Sequence, residues 1–193
     1  MSKKDTLHII YVSGFGSHYD GVRRFLLRFW RLYGVNAELA SMRWNDGSSY
    51  ETKMDLLNRL IDKNRDKKVV LIGESAGASI VINVYANRTA DIHRAMTLCG
   101  KNRGAKTVAS RFYSKSPAFK DSIYAADINT EKLSKSQRAN ITSIYSLYDS
   151  VIPTHESITP GSREVRLWTF GHLTSILLGL SLFSFILVRE AKR

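Results

Sequence analysis

Three residues of this chain could do chemistry together. Ser75 lies in the run Gly73-Glu74-Ser75-Ala76-Gly77, Asp149 directly follows the apolar run 141–148, and His172 follows Gly171 near the end. A serine hydroxyl is a weak nucleophile until a base removes its proton, and that base must be held by a third group. A hydroxyl, an imidazole and a carboxylate that converge are therefore equipped for acyl transfer. The chain order serine, acid, histidine is the one expected when each sits at the C-terminal end of a successive strand. The pentapeptide's setting supports this, because 67–72 reads as a buried strand and 78–85 as a buried helix. A sharp turn between them holds the hydroxyl out of the sheet. A Cβ at either flanking glycine would collide with the adjoining strand or helix. Ser75 also falls at a helix N-terminus, where free N–H groups and the helix dipole favour developing negative charge.

The elements that must position these residues alternate along the chain. Residues 7–12 read as a first strand, followed by the glycine turn Ser13-Gly14-Phe15-Gly16-Ser17. Val22, Phe25, Leu26, Phe29 and Tyr33 then recur at helical spacing with arginines between them, and Gly34 suits a C-cap. Further strands are expected at 35–44, 67–72, 92–99, 141–148 and 163–170, with helices at 54–61, after Ser75 to about Arg88, and over 173–190. Segment 101–140 has no strand pattern and is expected to hold short helices near 118–126 and 131–138. Alternating helices and near-continuously apolar strands predict an α/β fold, a mostly parallel six-stranded sheet flanked by helices on both faces. In such sheets ligands collect at the C-terminal strand ends.

Other residues compete for these roles. His155 is the rival base, since its loop follows Asp149, but no strand intervenes to carry it over Ser75. Asp46 and Glu156 are the alternative acids. His8 and His93 fall within strands and read as structural, and His18 follows the first glycine turn. Cys99, the only cysteine, ends an apolar run and reads as a buried small residue. Gly14-Phe15-Gly16 opens like a dinucleotide fingerprint, but Tyr19 stands where a third glycine belongs, so nucleotide binding is not expected.

Taken together, the elbow Gly73–Gly77, the segment Asp149-Ser150-Val151-Ile152-Pro153 and Gly171-His172 resemble a small member of the α/β-hydrolase superfamily over nearly the whole chain. The resemblance implies that Ser75 is the nucleophile, His172 the general base and acid, and Asp149 the residue that orients it. It implies an oxyanion hole made by the backbone N–H groups of Ala76 and Phe15, although Ser13 stands where many relatives carry a histidine. Glu74 is expected to support the elbow. The family's two leading strands are missing. The implied activity is cleavage of carboxylic esters through an acyl-enzyme, with no metal or organic cofactor. Thioester or amide cleavage and acyl transfer use the same machinery, and a non-catalytic binding protein on this scaffold is the reading from another class. Segment 101–140 is expected to cap the site, with Phe112, Tyr113, Phe119 and Tyr124 walling an acyl pocket and its excess of basic residues favouring an acidic substrate.

The 193 residues suit one domain, and their 44% hydrophobic and 24% charged content is that of a folded soluble protein. The net charge of +12 is scattered along the chain, with no nucleic-acid motif, so no specific nucleic-acid partner is expected. That basic surface suits peripheral contact with an anionic membrane. The basic N-terminus leads into an apolar run too short for a signal peptide, so the cytoplasm is the expected compartment. Residues 173–188 carry no charge, yet as a helix they would span about 24 Å, short of a hydrocarbon core of about 30 Å. They read as a closing helix packed on the sheet, with a membrane tether as the alternative. Oligomeric state is left open.

Overall fold

The computed structural model describes residues 6–193, so the basic N-terminal residues 1–5 lie outside it. Six strands form one parallel sheet: β1 Leu7–Val12, β2 Asn36–Ala40, β3 Lys68–Glu74, β4 Arg94–Leu98, β5 Ile141–Tyr148 and β6 Arg163–Phe170. Their spatial order is β2-β1-β3-β4-β5-β6. The central β3 pairs with β1 and β4 in parallel register, Val12 opposite Gly73 and Glu74 opposite Leu98. Strands β1 and β3 are apolar without alternation because helices cover both of their faces.

The helices are α1 Asp20–Arg28, α2 Tyr50–Lys63, α3 Gly77–Asn87, α4 Ser110–Lys115, α5 Pro117–Lys132, α6 Lys135–Ala139, α7 Thr154–Ser157, α8 His172–Leu180 and α9 Ser184–Ala191. On one sheet face Leu57 and Ile61 of α2, Ile80 and Val84 of α3 and Ile123 of α5 pack with Ile10, Val69 and Leu71. A polar seam joins α3 to α5, where Ser79 Oγ meets Ser122 Oγ at 2.8 Å and Asn83 Nδ2 donates to the Ser122 carbonyl at 2.8 Å. On the other face Leu27, Trp30, Ile176, Leu180 and Leu187 pack with Ile9, Tyr11, Ile72 and Leu98.

Several elements differ from their sequence-based expectation. The second strand ends at Ala40, because the chain turns away at Arg43, whose φ is +44°. The fourth strand is likewise shorter, Arg94–Leu98. The helix after β1 gives way at Phe29 to a 3₁₀ stretch, Phe29–Tyr33, and its orientation is not the one its apolar stripe suggests. Arg23, Leu27 and Trp30 face inward, whereas Val22, Phe25, Phe29 and Tyr33 face outward. The closing helix is two helices, α8 and α9, bent by 68°. The break is at Ser181, whose Oγ donates to the Leu177 carbonyl at 2.6 Å, while Phe183 N–H reaches the Leu178 carbonyl at 2.8 Å. Serine hydroxyls that bond back to the preceding turn bend helices, and the bend brings Leu187 and Val188 onto the core.

Candidate active site

The turn from β3 into α3 is tight enough to dictate its residues. A Cβ on Gly73 would lie 2.5 Å from the Gly77 carbonyl oxygen, and a Cβ on Gly77 would lie 2.5 Å from that of Val12. Neither position admits a side chain. Ser75 between them has φ +49°, a left-handed conformation that costs a residue with a side chain about 1–3 kcal/mol. Its N–H donates to the Leu98 carbonyl at 3.1 Å, and its carbonyl accepts from Lys101 N–H at 2.9 Å and Ala78 N–H at 3.2 Å. These three bonds hold the strained turn and leave the hydroxyl free.

His172, the first residue of α8, places Nε2 2.9 Å from Ser75 Oγ and Nδ1 2.7 Å from Asp149 Oδ2. The other Asp149 oxygen, Oδ1, accepts from Val151 N–H at 2.8 Å and Ile152 N–H at 2.9 Å. Burial pushes the Asp149 carboxyl upward, but the bonds from His172 and these two amides outweigh it and hold the group below the ordinary carboxylate value. An ionised Asp149 accepts from Nδ1–H, which leaves Nε2 free to accept the serine proton.

The loop after β1 closes over the same point. A Cβ on Gly14 would come within 2.8 Å of Ser75 Cβ, so the loop backbone runs directly against the serine. Among the described residues neither Phe15 N–H nor Ala76 N–H has a protein acceptor. The loop is fixed from beneath by buried charges. Glu74, 0% exposed, accepts from Gly14 N–H at 3.1 Å, from Tyr11 Oη at 2.6 Å and from Arg23. Arg23 also donates to the carbonyls of Gly16 at 2.8 Å and Phe15 at 3.1 Å, and pairs with Asp20 at 2.9 Å. Burial disfavours the Arg23 charge, yet Glu74 more than offsets it and raises the guanidinium pKa. Burial and the Glu74 charge push the Tyr11 phenol well up. Ser13 Oγ, in turn, accepts from Met42 N–H at 3.0 Å, tying the loop to the chain beyond β2.

A cavity of about 570 Å³ opens from Ser75. Its walls include Phe15, Val108, Phe112, Phe119, Val151 and Ile152, so both flanks of the site contribute. Phe15 packs between Phe112 and Phe119, with ring centroids 5.9 and 5.2 Å away. Tyr113 and Tyr124, expected on the wall, are not on it. Their rings meet at a tilt of 41° with centroids 6.1 Å apart, and Tyr113 Oη donates to the Ala105 carbonyl. Segment 101–140 thus divides. Residues 105–115 lie beside the cavity, whereas α5 forms an ordinary layer against α3, with only Phe119 reaching the cavity.

The rival residues stand outside the hydrogen-bonded line from Ser75 to Asp149. Asp46 accepts from Lys53 Nζ at 3.0 Å and Ser48 Oγ at 2.6 Å, which outweigh burial and hold it down to about 2. Glu156 is buried against Lys101 and Thr107. His155 lines the same cavity but makes no bond to Ser75, and its carbonyl accepts from Arg103. Burial pushes the Cys99 thiol up to about 12. Among the described residues no group of three or more His, Cys, Asp or Glu could hold a metal ion. Sequence reasoning missed the contributions of Arg23, Tyr11, Val108 and Val151. An arginine on a surface-like helix and valines in loops carry no local signal of them.

No protein-family model matches the chain, and no curated protein sequence matches it. Solved structures do resemble it over nearly its whole length. An α/β-hydrolase enzyme from the metagenome of sediments of the Mar Chica lagoon, Morocco, superposes with TM-score 0.68 at 16% identity, over 98% of this chain and 92% of that one. A monoacylglycerol lipase from Paleococcus ferrophilus gives 0.66 at 13%, over 97% and 96%. A thioesterase domain from the curacin biosynthetic pathway gives 0.59 at 15%, over 96% and 92%.

Proposed function

We propose that this chain, which has the α/β-hydrolase fold, is a serine hydrolase that cleaves carboxylic esters through an acyl-enzyme. The observation that carries the reading is the continuous hydrogen-bonded line Ser75 Oγ, His172, Asp149, which ends on a largely apolar cavity. As Ser75 Oγ attacks the ester carbonyl carbon, His172 Nε2 takes its proton. Asp149 keeps the imidazole in the required tautomer and stabilises the imidazolium. The tetrahedral oxyanion is received by the N–H groups of Phe15 and Ala76, each such donor being worth about 3–4 kcal/mol of barrier. His172 then returns its proton to the departing alcohol, and water activated by the same nitrogen releases the acid. The rigidity of the Gly14–Gly16 loop supports this role, because an oxyanion hole works only if its dipoles are oriented before charge develops.

The cavity's aromatic and aliphatic walls suit an acyl chain of several carbons. Thioesters would use the same groups, and the likeness to a thioesterase domain keeps that leaving group in view. The test is labelling with a fluorophosphonate probe, peptide mapping, and hydrolysis of p-nitrophenyl esters of graded length. Label on Ser75, its loss with hydrolysis in Ser75→Ala, and a preference among chain lengths are expected. Label on another residue, or activity kept by Ser75→Ala, would end the proposal.

A further inference from the structure

The outward apolar stripe of α1 and its 3₁₀ extension has no partner among the described residues. Three rows run along this segment at helical spacing. Arg23, Leu27 and Trp30 point into the protein. Arg24, Arg28 and Arg31 form a second row, exposed to solvent. Val22, Phe25, Phe29 and Leu32 form the third, and are 45%, 55%, 49% and 83% exposed. The inward row is selected by Arg23, which is committed to Glu74 beneath the serine loop, so the helix cannot roll to bury its phenylalanines without breaking that pair.

The α8–α9 elbow lies alongside. Trp30 Nε1 donates to the Leu180 carbonyl at 3.0 Å, Tyr33 Oη meets Ser184 Oγ at 3.2 Å, and Lys192 Nζ donates to the Tyr33 carbonyl at 2.6 Å. The elbow extends the apolar surface with Leu182 and Phe185, 66% and 48% exposed. The charge on this face is of one sign. Residues 21–37 contain no acid, and the only acid in 171–193, Glu190, is buried among Arg163, Arg189 and Arg193. Exposed Arg24, Arg28, Arg31, Arg189, Lys192 and Arg193 therefore flank the phenylalanines with no exposed Asp or Glu side chain from either segment.

We infer that this face docks the protein peripherally onto an anionic lipid bilayer, the phenylalanines and leucines entering the interface and the arginines meeting lipid phosphates. Protruding aromatic and aliphatic side chains beside an excess of cations match the two layers of such a surface, an apolar interior beneath anionic headgroups. A protein partner would need matching carboxylates around an apolar socket. A second copy would set arginine against arginine, and a nucleic acid would leave the phenylalanines in water. The inference does not depend on the proposed chemistry, although α1 and α8 both begin at the catalytic edge.

The test is flotation of the full chain with vesicles of phosphatidylcholine alone or with about 30% phosphatidylglycerol, an anionic content like that of negatively charged leaflets. Two variants accompany it, Phe25→Ser/Phe29→Ser/Leu32→Ser and Arg24→Gln/Arg28→Gln/Arg31→Gln. Both alter exposed side chains, and thermal melting together with circular dichroism checks that each is folded. Wild-type protein is expected to float with anionic vesicles and much less with neutral ones. Removing three arginines should weaken anionic binding by about 100-fold, and the serine variant should lose at least about tenfold even at low salt. Equal binding to both vesicle types, no binding, or unchanged binding by the serine variant would overturn the inference. So would a wild-type dimer that the serine variant dissolves, which would assign the face to a second copy. Retention in the membrane after an alkaline carbonate wash would also overturn it, by making the α8–α9 pair an integral segment.

Discussion

Asp149 divides its oxygens between two tasks: Oδ2 holds His172, and Oδ1 holds the 151–152 backbone that forms part of the cavity wall. Asp149→Asn should leave the fold in place but present an amide N–H to His172 Nδ1, which moves the ring proton to Nε2, where it can no longer accept the serine proton. A fall in kcat of about 10⁴-fold with little change in KM is expected in ester hydrolysis, whereas His155→Ala should retain most activity. The same carboxylate makes a pH prediction. Its folded-state pKa is held below the ordinary value of about 3.9, so it contributes stability that is fully present above about pH 4 and lost as pH falls through the folded value. Urea midpoints measured from pH 7 to pH 3 should fall less steeply for Asp149→Asn than for wild type. Cys99 gives a third residue-scale prediction. With its thiol pushed up to about 12 and its side chain buried, it should resist a disulfide reagent at pH 8 and react only on unfolding.

At the scale of elements, the loop after β1 owes its position to the Glu74–Arg23 pair, which joins α1 to the elbow across the sheet edge. Removing one member of a buried pair strands the other charge, at a cost of about 3–5 kcal/mol. Glu74→Gln should therefore lower the stability read from urea unfolding by about that amount. It should reduce kcat more than it raises KM, because the loop carrying Phe15 N–H loses its anchor. The 105–115 segment governs specificity instead. Phe112 stands on the cavity wall and is partly exposed, so Phe112→Ala should shift the preferred ester toward longer or bulkier acyl groups. Tyr124→Ala, away from the wall, should leave that preference unchanged. Lys101 is neutralised by Glu156, whereas Arg111 lines the cavity with its guanidinium over the Phe112 ring. An acidic substrate would meet Arg111, and Arg111→Gln should reduce any preference for esters of dicarboxylic acids, read as a ratio of kcat/KM values.

For the whole molecule, a net charge of +12 on 193 residues is a self-repulsion that the fold must outweigh. The pairs Arg23 with Glu74, Lys101 with Glu156 and Lys53 with Asp46 are neutral and leave the excess to the unpaired basic side chains. This exposed excess interacts over a Debye length that shortens from about 30 Å at 0.01 M salt to about 8 Å at 0.15 M. The melting temperature should therefore rise across that range in scanning calorimetry. The two helical layers also differ in what they leave outside. The layer of α2, α3 and α5 leaves Tyr124 and Ile128 exposed, whereas the layer of α1, α8 and α9 retains a longer exposed aromatic strip.

Much of the architecture was legible in the chain itself. Strand and helix periods are local, and Gly73, Ser75 and Gly77 announce their turn because only glycine tolerates the backbone contacts on either side. Asp149 and His172 could be placed because each directly follows a readable apolar strand. What could not be read depends on partners distant in sequence. The rotation of α1 is decided by an ion pair between residues 51 positions apart. A buried arginine with a carboxylate outweighs the helix's own apolar stripe, which therefore points outward. The bend after Leu180 follows from serine hydroxyls competing for backbone carbonyls and from core space that only the assembled sheet defines. The cavity wall has the same origin. Phe112 and Tyr113 are neighbours of similar character, and tertiary packing alone sends one to the site and the other to the Ala105 carbonyl. Sequence determines periodicity and the chemistry on offer, but which face turns inward is settled by the most costly buried group, and its partner is known only once the chain has folded.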